Sequence, residues 1–284
     1  MKVVSVVAQK GGTGKTTLCL AIACAAVRDG LTAAVVDLDP QATAASWGDR
    51  RGTDLPVVVS AQPPRLARVL DAAAGQDVDL AVVDTAPRVE QSAVAAARAA
   101  DLVVVPCRPA VYDLETVAAT VDLIRVVAPA VRFLCVLNAV PPRGPRQPQA
   151  RRLLDDMGVP VCAASLGLRA AVDYAAAAGA SALESEPRGK AAAEIAALYD
   201  AVRQALGLST TRGDGLSTIR GDDLPASRAA GLSSARENHL ATRTGFDIPT
   251  RRNAASSTRG EAGTSPIGDA DLTTRATADA GQTR

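Results

Sequence analysis

A long apolar run is missing from this chain. No stretch approaches the roughly 18 apolar residues of a membrane-spanning helix, although 48% of its 284 residues are hydrophobic. A charge bias is missing too. The 31 basic and 30 acidic residues leave a formal net charge of +1, so any nucleic-acid surface has to be a local patch and not a global field. CxxC pairs are absent. The five cysteines Cys19, Cys24, Cys107, Cys135 and Cys162 stand in apolar surroundings. They read as small buried hydrophobes in a reducing compartment, not as metal ligands or disulfides. The opening MKVVSVV turns polar within its first dozen residues, which reads as no signal peptide.

What is present divides near residue 208. Residues 1–208 are rich in Ala, Val and Leu. Residues 209–284 hold 10 basic and 9 acidic residues among many Ser, Thr, Gly and Asp, with few large apolar groups. Such a segment buries too little surface to offset its ordering entropy, and it reads as a disordered, low-complexity tail. Within it Arg212, Arg220, Arg228 and Arg236 fall eight apart. After a one-residue slip Arg243, Arg251, Arg259 and Arg275 keep the spacing, with Ile267 missing it. A period of eight fits neither a helix nor a coiled coil. It reads as expansion of a short repeat, and the near-equal count of acids argues against strong binding by the tail.

Ahead of that boundary, short β-branched runs alternate with Ala/Leu stretches of helical spacing. The runs lie at 3–8, 32–38, 55–60, 79–84, 101–106 and 131–138, with helices expected at 15–29, 63–74, 90–99 and 111–127, and later at 146–157, 169–178 and 190–206. Continuous apolar strands separated by helices predict an α/β fold, a doubly wound and mostly parallel sheet covered on both faces.

The string QKGGTGKTT, residues 9–17, joins the first strand to the first helix. Gly11, Gly12 and Gly14 allow the backbone to turn its N–H groups toward phosphate oxygens, and the helix behind them presents its positive end. With Thr13 and Thr17 these residues form a P-loop in which Lys15 reaches β- and γ-phosphates and the Thr16 hydroxyl ligates Mg2+. VVDLDPQ ends the second strand with Asp37 and Asp39, two carboxylates suited to holding metal-bound water and orienting an attacking one. VVDTAP ends the fourth run with Asp84, at the strand edge where open α/β sheets bind ligands. LNAVPPRG places Asn138 at the end of another strand, its amide able to donate to and accept from a purine edge.

Lys10 is not needed to cradle phosphate within one subunit. With it, KGGTGKTT resembles the deviant Walker A family of ParA, MinD and the nitrogenase iron protein. VVDLDPQ, VVDTAP, VVPCRPAVYDLETV and the Ala-rich end LRAAVDYAAAAGASALESEPRGKAAAEIAALYDAV extend the resemblance over about residues 1–206, toward the small ParA type with no helix-turn-helix domain ahead of the P-loop. The resemblance implies ATP and Mg2+ as cofactors and a sandwich homodimer in which Lys10 touches the partner subunit's nucleotide. It implies that Asp39 is tied to hydrolysis, that Asp37 and Asp84 lie on the metal side, and that Asn138 contacts adenine. It further implies nonspecific double-stranded DNA binding through Arg169, Arg188 and Lys190, and a weak ATPase stimulated by a ParB-like or other cargo adaptor. A cytoplasmic, nucleoid-associated protein with no membrane partner follows. Arg143, Arg146, Arg151 and Arg152 are further basic candidates. No aromatic residue is interleaved with them, so stacking on single strands is not suggested. Other members of the class fit less well. The cluster cysteines of the iron protein, the CxxC of iron–sulfur carriers and the terminal amphipathic helix of MinD have no counterpart, and a metabolic ligase such as dethiobiotin synthetase lacks DxDPQ. The remaining alternative is another switch or positioning ATPase of this class, acting on a surface or protein cargo other than DNA.

Overall fold

The computed structural model describes residues 1–208. The tail reading and its spaced arginines lie outside the described residues. Six parallel strands, β1 (Lys2–Val6), β2 (Ala33–Asp37), β3 (Val57–Ser60), β4 (Leu80–Asp84), β5 (Leu102–Cys107) and β6 (Arg132–Leu137), lie in the order β3-β2-β4-β1-β5-β6. Each falls within, or within a residue of, one of the six β-branched runs. At the β6 edge, parallel bridges Cys135–Val161 and Val140–Gly167 add an irregular seventh member.

Strand residues alternate between the two faces, and each face has its own core. Val4, Val6, Val35, Val82 and Val104 pack with α1 (Lys15–Arg28), α2 (Thr43–Arg50), α7 (Ala170–Ala177), α8 (Ala182–Ser185) and α9 (Lys190–Leu206). Val3, Val7, Val83, Val103 and Val105 pack with α3 (Leu66–Ala74), α4 (Glu90–Ala99), α5 (Val111–Val127) and α6 (Arg146–Asp156). This is the doubly wound arrangement the runs predict. Because every strand is parallel, all C-terminal ends meet at one edge. All five cysteines are buried free thiols.

Two helices escape the periodicity argument, α2 and α8. α2 is only eight residues, with Gly48 inside it, and tertiary contacts hold it. Trp47 is 1% exposed, its indole N–H donates to Ala180 O at 3.2 Å, and Arg51 stacks on its ring at 4.9 Å. A Cβ on Gly48 would come within 2.9 Å of Val58 Cβ, so glycine lets the helix approach β3. Trp47→Ala should therefore lower the stability of the fold by about 3–5 kcal/mol, read as a fall in the urea midpoint with an unchanged m-value.

Candidate functional site

The loops leaving β1, β2, β4, β5 and β6 share one edge. They bring together Lys10 to Thr17, Asp37, Asp39, Asp84, Arg108 and Asn138. Gly14 caps α1 in the left-handed region at φ 92, and no side chain caps the helix. The N–H groups of its first turn are thus left for an anion. A side chain at Gly14 would overlap the Asn138 amide, which donates to Thr13 O at 2.8 Å. Asn138 thereby braces the loop from below with its amide nitrogen.

Lys15 is buried, and its ammonium lies 3.4 Å from Lys10 O. Burial lowers its pKa, while Asp84 and Asp39 pull it back. Lys10 points the other way. Its ammonium pairs with Asp113 of α5 at 2.6 Å, and the Asp113 side chain is only 8% exposed. Asp113 lies within VVPCRPAVYDLETV, where no sequence signal singles it out. Nothing local in the sequence joins residues 103 positions apart.

Asp37 and Asp84 face each other across β2 and β4 as register partners. Asp37 is buried, and each of its oxygens accepts a backbone N–H, from Asp39 at 2.9 Å and Ala45 at 3.1 Å. Burial raises its pKa, and those bonds oppose the rise. It fixes the turn into α2. Asp39, half-buried, accepts the Gln41 N–H at 2.9 Å and lies near enough to Lys15 to act on its charge. Asp84 is 1% exposed, and neither of its oxygens has a hydrogen-bond partner. Burial pushes its pKa up to about 7. The neighbouring Thr16 hydroxyl and Lys15 oppose this, and the charge of Asp37 adds to it. Unpartnered buried carboxylate oxygens beside a threonine hydroxyl fit Mg2+, a hard ion that takes one or two carboxylates together with substrate phosphate. Asp84 and Thr16 would hold it, and it would neutralise phosphate charge there.

The basic candidates lie elsewhere. Arg169 donates to Glu194 at 2.9 Å, and Gly167 N–H shares that carboxylate at 3.0 Å. Arg151 donates to Cys162 O and Ala163 O, both at 2.8 Å, tying α6 to the edge run. Arg188 and Lys190, like Arg143, Arg146 and Arg152, are exposed. Among the described residues no helix is long and apolar enough to cross a membrane.

Residues 4–279 match the family described as CobQ/CobB/MinD/ParA nucleotide binding domain. The chain belongs to this family. It is a member of the ParA/MinD deviant Walker A ATPase superfamily. It is 36% identical over 209 residues to maintenance of carboxysome distribution protein A of Gloeobacter kilaueensis, covering 72% of this chain and 94% of that one. It is 29% identical over 258 residues to protein IncC of Escherichia coli, covering 74% and 71%. Its fold is similar to that of the septum site-determining protein MinD of Pyrococcus horikoshii complexed with Mg-ADP. The TM-score is 0.59 at 19% identity, over 72% of this chain and 97% of that one.

The raised pKa of Asp84 has a definite sign for stability in this ParA/MinD-family chain. In the unfolded chain the carboxyl ionises near pH 4, whereas in the fold it stays neutral to about pH 7. Its contribution is whole below about pH 4 and is lost as pH rises to 7. Asp84→Asn does not titrate. The nucleotide-free variant should match wild type near pH 4 and gain up to about 4 kcal/mol over it at pH 8. Urea midpoints across that range test this.

Proposed function

We propose that this chain is a partition ATPase. Two subunits close face to face over ATP and Mg2+, and the dimer coats double-stranded DNA without sequence preference. A ParB-like adaptor on the cargo stimulates hydrolysis and so releases the dimer. Alone the rate is slow, because Asp39 orients water only in the fully assembled site. The observation that carries this reading is the outer face of the loop. Gly11 and Gly12 are exposed, and Lys10 stands beside them partly exposed, whereas Lys15 is buried. A loop serving one nucleotide has no need of that second lysine.

The cargo has a second reading, a protein assembly in place of DNA. It is favoured by the 36% relative, which is named for carboxysome distribution. In either case the DNA surface is carried by Arg188 and Lys190, whose side chains are exposed, more than by Arg169, whose fork Glu194 occupies.

Lys10→Ala should keep nucleotide affinity and lose ATP-dependent dimerisation. Calorimetry reads the affinity and light scattering with a slowly hydrolysed ATP analogue reads the dimer, and a stable dimer of the variant would sink the sandwich arrangement. Adding Asp113→Asn keeps a buried carboxylate from being stranded in the test. For DNA, Arg188→Glu combined with Lys190→Glu should weaken duplex binding by about tenfold or more at moderate salt and flatten its salt dependence. Dimerisation should survive. Filter binding over a salt series checks this, and unchanged affinity would move the DNA surface elsewhere.

A further inference from the structure

Arg108 follows the last residue of β5, which pairs with β1, the strand that feeds the loop. The backbone around it is tied down. Ala110 N–H donates to Arg108 O at 2.8 Å, the Cys107 thiol donates to the same oxygen at 3.2 Å, and Asn138 N–H donates to Cys107 O at 2.8 Å. Pro109 behind it is buried. The side chain is the opposite. It is exposed, and among the described residues no ion pair or side-chain hydrogen bond holds it.

Its guanidinium nevertheless has a definite place. A Cβ on Gly12 would lie 3.8 Å from Arg108 Nη2, so the arginine fork lies over the bare face of the loop. Of the loop's two lysines, Lys10 is paired with Asp113, and Lys15 reaches the loop from its buried side. A P-loop lysine reaches the β- and γ-phosphates, and the Lys15 ammonium lies against Lys10 O. The stretch from Lys10 to Gly12 is therefore the γ-phosphate end of the loop. An arginine fork matches phosphate oxygens in pairs and adds charge-assisted hydrogen bonds.

We propose that Arg108 is a γ-phosphate contact that lets the subunit distinguish a nucleoside triphosphate from a diphosphate in its own P-loop. The assignment rests on the ATPase reading of the site. It deepens that reading by naming a residue that reports the nucleotide state ahead of dimerisation. A solvated surface arginine accounts for the exposure of Arg108. It does not account for an unpaired fork resting on the exposed face of a phosphate loop from an anchored backbone.

The test is binding, not turnover. Affinities for a slowly hydrolysed ATP analogue and for ADP are measured by calorimetry with Mg2+, in protein dilute enough to stay monomeric by light scattering. Arg108→Ala should weaken the analogue by about tenfold and change ADP by less than about twofold. Arg108→Lys should fall between, because it restores the charge without the fork. Equal losses for both nucleotides, or no loss for either, overturn the proposal. A loss seen only where dimers form would put Arg108 on the partner subunit's nucleotide and overturn it as well. Lys15→Ala is the control for the underlying reading. If that variant keeps both nucleotides at wild-type affinity, the P-loop reading fails, which is a different result from failure of Arg108.

Discussion

A buried carboxylate short of hydrogen-bond donors is the constraint on which the site turns. Asp84 ends β4, and the strand order sets β4 between β2 and β1. Its register partners are therefore Asp37 on one side and Val6 on the other. One neighbour is a like charge and the other is apolar. Asp37 resolves its own burial with two backbone N–H groups. Asp84 accepts no backbone N–H, the neighbouring Thr16 hydroxyl eases its burial only in part, and its proton affinity rises. A site that holds a carboxyl in that condition without ligand is poised for a cation, since a divalent ion supplies the partner that the fold withholds.

The loop above it shows the complementary economy of charge. Lys15 is buried in the cradle with a depressed pKa, and a phosphate would give its ammonium the counter-charge it lacks. Asn138 and Gly14 hold the loop open beneath, through a contact that leaves no room for a Cβ. Thr85 closes the other side by donating to Val6 O at 2.8 Å, which ties the start of the segment after β4 to β1. Metal-side and phosphate-side groups thus hang on neighbouring central strands, and a shift in one is felt by the other through the backbone.

Much of this was legible in the sequence. Parallel strands buried on both faces read as unbroken β-branched runs, which is why VVSVVA and DLAVVD gave their elements directly. KGGTGKTT announces its own turn, because Gly12 and Gly14 take left-handed φ values of 73 and 92 that other residues disfavour. α2 was not legible, since TAASWGDR is short, polar and interrupted by glycine. Its stability comes from Trp47 reaching Ala180, 133 positions away. The pairings were not legible either. Lys10 with Asp113, Arg169 with Glu194 and Asn138 with Thr13 are tertiary facts. A motif identifies a residue by its neighbours in the chain, whereas its electrostatic state depends on what the fold sets opposite it.

That distinction bears most on Lys10. Its partner Asp113 is more deeply buried than the lysine itself, at 8% against 33% side-chain exposure. Breaking a pair of this kind strands the buried member, and the penalty falls on the carboxylate far more than on the lysine. Any interface that recruits Lys10 must therefore provide more than a new anion for the ammonium. It must also solvate Asp113, protonate it or give it another donor. Asp113 lies in the first turn of α5, where Val111 and Tyr112 are 67% and 74% exposed. The energetics of releasing the lysine are thus set at a surface turn that other molecules can reach, and not inside the nucleotide site.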